Sequence, residues 1–194
     1  MKKRDRMERD RAAGKAELLC EALPWINKMS GKTFVIKYGG SAMEDPELCR
    51  QVVADIEMLK LMGVRIVLVH GGGKAINAML KRLDVPVKFK DGVRVTDDET
   101  MEAVQEVLVG HVNQQLVWAL NEYGHNAVGI SGADGKTLKA EPVDPDLGRV
   151  GRIREVDASL INTILDDGYI PVVATVGCGP DGFYNINADV AADK

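Results

Sequence analysis

The sequence predicts an α/β fold, a three-layer α/β/α sandwich around a mainly parallel sheet. Three observations predict it. From Gly31 onward, stretches with strand character alternate with stretches of helical periodicity. The run at residues 64–69 is almost wholly aliphatic, as in a strand buried on both faces of a parallel sheet. Glycine clusters stand where strands give way to helices: Gly39-Gly40, then Gly71-Gly72-Gly73. In such folds ligands gather beyond the carboxyl ends of the strands.

The elements follow in order. The first fifteen residues are mostly charged and are expected to be disordered. Ala16, Leu19, Leu23 and Ile26 then make a helical stripe over residues 16–29, interrupted by Pro24. This helix either packs on its own domain or acts as an arm on another subunit. Residues 33–38 form the first strand, with Lys37 pointing opposite to Ile36 and Tyr38. A helix over 46–62 starts at Pro46 and closes at Gly63. The strand at 64–69 leads through His70-Gly71-Gly72-Gly73 into a helix at 74–83. Short strands flank the Asp91-Gly92 turn. Thr96 with Glu99 makes a capping-box pattern opening the longest helix, which runs to about residue 123. A strand at 126–131 follows, then an antiparallel ribbon of 136–143 and 149–156. Asp157 caps a helix that Gly168 ends, residues 169–176 are the last buried strand, and a turn at Gly179–Gly182 leads to Asn185–Asp189 and a final helix start. No internal repeat or low-complexity stretch is present.

Composition excludes several classes. The chain has 194 residues, 45% apolar and 28% charged, which is ordinary for a globular protein of one domain. With 25 basic against 29 acidic residues there is no global cationic field, so no nucleic-acid partner is expected. The longest apolar runs are too short to span a bilayer, and no apolar stretch follows the charged N-terminus as in a signal peptide. Cys20, Cys49 and Cys178 are isolated, which suits a reducing, cytoplasmic location without disulfides. His70, His111 and His125 are too scattered for a structural zinc site.

Two glycine turns on neighbouring strands, each opening toward a helix N-terminus, are suited to hold two anions near each other. Lys37 beside the first turn supplies a cation, since an unpaired buried ammonium is costly. Arg94 is either a rim residue or a bidentate carboxylate clamp. Asp189, at a helix start, has capping as its simplest role. Competing motifs fail. Gly135-Lys136-Thr137 lacks the glycine five positions earlier that a phosphate-binding P-loop needs, because Ile130 stands there. Gly177, Gly179 and Gly182 match G-x-G-x-x-G, but Pro180-Asp181-Gly182 reads as a hairpin turn. His70–Gly73 resembles an esterase oxyanion loop, yet no G-x-S-x-G elbow accompanies it.

The strings Lys37–Met43, Val67–Gly73, Gly92–Thr96 and Asn185–Asp189, in this order and spacing, resemble the amino acid kinase family. Gly92-x-Arg94-Val95-Thr96 and Asn185-x-Asn187-Ala188-Asp189 resemble the branch that phosphorylates N-acetyl-L-glutamate in arginine biosynthesis. The resemblance covers nearly the whole chain. It implies phosphoryl transfer from ATP, with Mg2+ arriving on the nucleotide, to the side-chain carboxylate of N-acetyl-L-glutamate. It implies that Lys37 stabilises the transferring phosphoryl and that Asp189 orients Lys37. The amides of Gly39 and Gly40 would hold phosphate oxygens, and those of Gly72 and Gly73 the reacting carboxylate. Arg94, Asn185 and Asn187 would bind the rest of the acceptor. Family members continue past Asn185–Asp189 with a nucleotide-binding lobe, so residues 31–194 resemble the acceptor-binding lobe alone, and the chain alone is expected to be inactive. Ala133 stands where related enzymes often carry lysine. The helix around Trp25 resembles the extra helix of arginine-inhibited members, which implies arginine as an allosteric inhibitor and a homodimer joined into a homohexamer. Rival readings are another member acting on glutamate, aspartate, carbamate or uridylate, and a non-catalytic binding or assembly module.

Overall fold

Alternate residues of one strand feed two different cores. In the computed structural model, β2 (Arg65–His70) buries Ile66 and Leu68 on one face and Val67 and Val69 on the other. Such a strand must lie inside a sheet covered on both sides. It does: β1 (Thr33–Tyr38), β2, β8 (Ile170–Ala174) and β5 (Ala127–Ser131) form a parallel sheet in the order β1-β2-β8-β5. The structure describes residues 2–39, 43, 45–122, 124 and 126–194, with side chains of the first helix from residue 11.

One face is covered by α2 (Pro46–Leu61), α3 (Gly73–Arg82), α4 (Asp98–Gln105) and α5 (Asn113–Glu122), which bury Ile56, Leu80, Val104 and Leu120 against it. The other is covered by α6 (Ser159–Asp166), α7 (Ala188–Ala192) and a second sheet. That sheet has the order β10-β9-β6-β7, from β6 (Leu138–Pro142), β7 (Gly151–Val156), β9 (Val176–Gly179) and β10 (Gly182–Asn185). A two-stranded hairpin, β3 (Phe89–Lys90) with β4 (Val93–Arg94), completes the strands. The three-layer α/β/α prediction therefore holds. The ribbon and the Gly179–Gly182 hairpin also form as expected.

Three expectations change. First, α1 spans Lys2–Met29, so the charged stretch 1–15 expected to be disordered is helical from Lys2. Its Lys, Arg, Glu, Met and Ala residues are good helix formers, and charge alone does not break a helix. Leu18, Leu19, Leu23 and Trp25 on this helix are exposed, Ile26 is half-buried, and Met29 reaches the core. Second, the cap of α4 is Asp97, whose carboxylate accepts from Thr100 N at 2.9 Å. Thr96 is fully buried and donates to the Arg94 carbonyl at 3.1 Å instead of capping. Third, the helix that the sequence predicts to be the longest is not uniform. A π-helical turn, Glu106–Val112, separates α4 from α5.

Among the described residues, no helix is long and apolar enough to cross a membrane.

Gly148 ties the ribbon to the segment after β4. Its φ of 64° lies where L side chains are strained, and a Cβ there would stand 2.4 Å from the Thr96 carbonyl oxygen. Gly148→Ala is expected to destabilise the chain by about 1–3 kcal/mol, seen as a lower urea midpoint at unchanged m. Gly14→Ala in α1, with nothing within 4 Å of the added methyl, should leave the midpoint unchanged or raise it.

Candidate active site

The carboxyl ends of β1 and β2 meet the Asn185–Asp189 segment around a cavity of about 300 Å³. Lys37, Gly39, Gly72, Gly73, Arg94, Asn185, Asn187 and Asp189, all singled out in the sequence, line it. Gly40 lies outside the described residues. A larger hollow of about 900 Å³ shares Gly72 and Gly73 but runs between α3 and α5 and holds none of the other predicted residues. The convergence of charged side chains and helix termini, not size, makes the smaller cavity the candidate site.

At one end stands Arg94, carried by β4. It is only 8% exposed, so it is not a rim residue. Its Nη2 donates to the Gly73 carbonyl at 3.0 Å, and its guanidinium lies 5.1 Å from the Phe89 ring centre. Its Nη1 is buried and has no hydrogen-bond partner among the described residues. Burial pushes the Arg94 pKa down, but arginine remains charged. A buried guanidinium with an unused donor is a strong demand for an anionic ligand.

Thr96 and Asn185 hold this end in place. Asn185 Nδ2 donates to Thr96 Oγ1 at 3.1 Å, and that hydroxyl in turn donates to the Arg94 carbonyl.

At the other end, Lys37 Nζ pairs with Asp189 at 2.9 Å. The side chains are 36% and 75% exposed, so the pair adds at most about 1 kcal/mol of stability. Its effect is to fix where the ammonium sits. Asp189 is not the cap of α7. Asn187 is: its Oδ1 accepts from Asp189 N at 2.8 Å and from Val190 N at 3.3 Å. That leaves the Asn187 amide nitrogen for a ligand and leaves the Asp189 carboxylate for Lys37.

Between these ends lies the start of α3. Gly72 is its N-cap and supplies no side-chain cap, so the first N–H groups of α3 are open to an anion. The glycines divide by role. A Cβ on Gly72 would stand 2.7 Å from Leu108 Cδ2, so that side chain would have to move, and one on Gly71 would stand 3.2 Å from Ala188 Cβ, a tight contact, so protein packing favours glycine at both. A Cβ on Gly73 would meet nothing nearer than Arg94 Nη2 at 4.0 Å, and one on Gly39 nothing nearer than Lys37 Cε at 3.5 Å. At Gly73 the missing side chain leaves space for a ligand, and at Gly39 it leaves the backbone bare beside the Lys37 ammonium.

Four residues that the sequence does not single out for the site also shape it. Thr175, 1% exposed, donates to the His70 carbonyl at 3.2 Å, and its own carbonyl accepts from Ile186 N at 3.1 Å. His70 is fully buried; its Nδ1 lies 3.1 Å from the Gly71 oxygen and its Nε2 3.0 Å from Asn113 Nδ2. Leu108, on the π-helical turn, packs on Gly72. A polar Asn113 among Val109, Leu116 and Leu120 on one helical face is the signal the sequence offers for this group.

The model of the amino acid kinase family matches residues 32–193. The chain belongs to the amino acid kinase family. Acetylglutamate kinase from Caldanaerobacter subterraneus is 54% identical over 183 residues, covering 93% of this chain and 61% of that protein. Chloroplastic acetylglutamate kinase from Arabidopsis thaliana is 51% identical, covering 93% of this chain and 53% of that protein. The chain thus spans about three-fifths or less of these relatives. Among solved structures, N-acetylglutamate synthase from Neisseria gonorrhoeae, complexed with coenzyme A and N-acetyl-glutamate, superposes with TM-score 0.75 at 27% identity, covering 90% of this chain and 41% of that one. In open α/β sheets, ligands bind beyond the carboxyl ends of the strands, where this cavity lies.

Two outcomes are expected. Gly72→Ala should lower stability by about 1–3 kcal/mol through the clash with Leu108, while Gly73→Ala should leave the denaturation midpoint unchanged. The second concerns His70, whose imidazole burial holds below its ordinary 6.5. Below pH 6.5 the unfolded chain binds a proton that the folded chain refuses, so stability is lost as pH falls. Melting temperature should therefore drop between about pH 7.5 and 5.5, and the drop should be smaller in His70→Asn.

Proposed function

We propose that the chain is the acceptor-binding part of a kinase that transfers the γ-phosphoryl group of ATP to the side-chain carboxylate of N-acetyl-L-glutamate. The product is N-acetyl-L-glutamyl 5-phosphate, an intermediate of arginine biosynthesis. The observation that carries this reading is Arg94: a buried guanidinium with one nitrogen unpartnered among the described residues, beside the open N-terminus of α3. The acceptor carries two carboxylates, and the cavity offers two places for them. Arg94 takes the α-carboxylate, aided by Asn185 and the free amide nitrogen of Asn187. The Gly72 and Gly73 amides take the reacting carboxylate. Similarity to enzymes named acetylglutamate kinase at 51–54% identity over 93% of the chain supports the same acceptor.

Phosphoryl transfer asks the protein for position and for compensation of developing charge. Both the attacking carboxylate and the γ-phosphoryl are anionic, so their approach must be screened. Lys37, oriented by Asp189, places its ammonium beside Gly39, where the phosphoryl oxygens would lie. The Gly39 and Gly40 amides hold those oxygens. Among the described residues no cluster of three or more His, Cys, Asp or Glu side chains gathers. In this reading Mg2+ is held by the nucleotide's phosphates, whose charge it neutralises.

Assembly and regulation belong to the same proposal. The exposed Leu19, Leu23 and Trp25 on α1 support its role as a contact with a second copy, within a homodimer-based homohexamer that arginine inhibits. The cytoplasm is the proposed location.

Isothermal titration tests the acceptor assignment on the chain itself. N-acetyl-L-glutamate should bind, and L-glutamate and L-aspartate should bind much more weakly. Arg94→Lys keeps the charge but loses the fork, and should weaken binding by about 10–100-fold, the scale of hydrogen bonds to a charged group. Equal binding of the three amino acids, or an unaffected Arg94→Lys, would redirect the reading to another acceptor.

A further inference from the structure

We propose that Asn113 and His70 are positioning residues that set the direction of the Gly72 amide. The inference rests on the reading above only in giving that amide a ligand. The geometry itself stands apart from it.

The chain of constraints starts in the π-helical turn. There Asn113 N donates to the Leu108 carbonyl, five residues back. The wider turn puts Leu108, Val112 and Asn113 together against the strand ends. A Cβ on Gly72 would meet Leu108 and Val112, and a Cβ on Gly129 would stand 2.0 Å from Asn113 Oδ1. The Asn113 amide therefore fills a slot that glycine keeps open.

Its orientation is fixed by what it touches. Asn113 Nδ2 lies 2.8 Å from the Val172 carbonyl oxygen, which only accepts, so this atom is the amide nitrogen. Its other hydrogen has His70 Nε2 at 3.0 Å and the Ile130 carbonyl farther off at 3.4 Å, and a hydrogen on Nε2 would face this donor with nothing to accept it. Nε2 must then be the bare nitrogen of a neutral imidazole, and the proton must sit on Nδ1. Nδ1–H donates to the Gly71 carbonyl at 3.1 Å. In a trans peptide the carbonyl and the following N–H point in opposite directions. Holding the Gly71 oxygen toward the buried ring turns the Gly72 N–H away from it. Gly72 lines the cavity, and its N–H has no acceptor among the described residues. The preceding peptide is pinned as well, through Thr175 on the His70 carbonyl. Two successive peptides at the end of β2 thus have their carbonyls tied down. An anion-binding amide loses less freedom on binding when its plane is already fixed.

Two replacements of His70 separate aiming from packing. Asparagine puts an amide nitrogen near the place of Nδ1 and keeps donation to Gly71. Glutamine, closer in size, puts its amide near Nε2 and loses that donation. In the glycine-15N-labelled chain without ligand, His70→Asn should leave the Gly72 amide resonance near its wild-type position, and His70→Gln should displace it. N-acetyl-L-glutamate affinity should stay within about twofold for His70→Asn and fall about tenfold or more for His70→Gln, as one charge-assisted bond is misdirected. A role in packing alone would move both variants alike or favour glutamine, and that order overturns the proposal. If the variants do not fold, the wild-type imidazole decides it. Long-range proton–nitrogen correlation should find Nδ1 protonated and Nε2 bare, and Asn113→Leu should shift that tautomer balance. A wild-type Nε2–H tautomer overturns the proposal. Failure of N-acetyl-L-glutamate to move the wild-type Gly72 and Gly73 resonances would instead remove the acceptor assignment, while the ligand-free spectra still decide the positioning.

Discussion

A guanidinium taken out of water with one nitrogen unpaired costs several kcal/mol unless something anionic completes it. Among the described residues Arg94 is in that state, and much of the surrounding structure holds it there. The β3–β4 hairpin delivers it, Phe89 covers its face, and the Gly73 carbonyl takes one of its nitrogens. Its own carbonyl is fixed by Thr96, which is fixed in turn by Asn185 from β10. None of these contacts neutralises the charge. A chain that needed Arg94 only for packing would do better with a leucine or methionine of similar volume.

The second sheet makes this arrangement possible. β8 runs straight on to β9, and the β9–β10 hairpin returns the chain at Asn185 to the place where β8 left the parallel sheet. The return sets Asn187 to cap α7 and sets Asp189, in its first turn, beside Lys37 of β1. Without that doubling back, a carboxylate late in the chain could not reach a lysine in the first strand. The exposure of the Lys37–Asp189 pair says the same from the energy side. A pair this wet contributes little to folding, so its value lies in orientation.

How much of this was legible in the sequence follows from which features are periodic and which are not. The parallel sheet was legible because burial on two faces forces aliphatic runs such as 64–69, and the turns were legible because glycine marks them. The list of cavity residues was legible through family resemblance, since charged residues beside glycine turns have few structural uses. The capping of α4 was misread because Thr96 and Asp97 are both good caps. Which one caps depends on tertiary burial, here the demand of the Arg94 carbonyl for the Thr96 hydroxyl. The helical start of α1 is hard to read because a charged stretch suits disorder as well as helix, and residues such as Lys, Arg and Glu have high helix propensity. The π-helical turn left no periodic trace at all. It adds one residue to one turn, and a hydrophobic stripe of 3.6 period absorbs such a shift without an obvious break.

That single added residue matters more than its size suggests. In a continuous α-helix, Leu108 and Val112 share a face and Asn113 sits about 100° round from Val112. The π-helical turn brings all three to one face, so apolar contact on Gly72 and a polar contact on His70 come from the same segment. The sequence conflict this creates, an asparagine only 1% exposed on an otherwise apolar face, is resolved by the His70 ring at 3.0 Å and the Val172 carbonyl at 2.8 Å, with the Ile130 carbonyl a longer contact at 3.4 Å. Buried polar groups are retained at such a cost when fully satisfied and when they specify one arrangement against others. Here the arrangement specified is the direction of successive peptides at the end of β2, where the strand ends, the helix begins and the cavity opens.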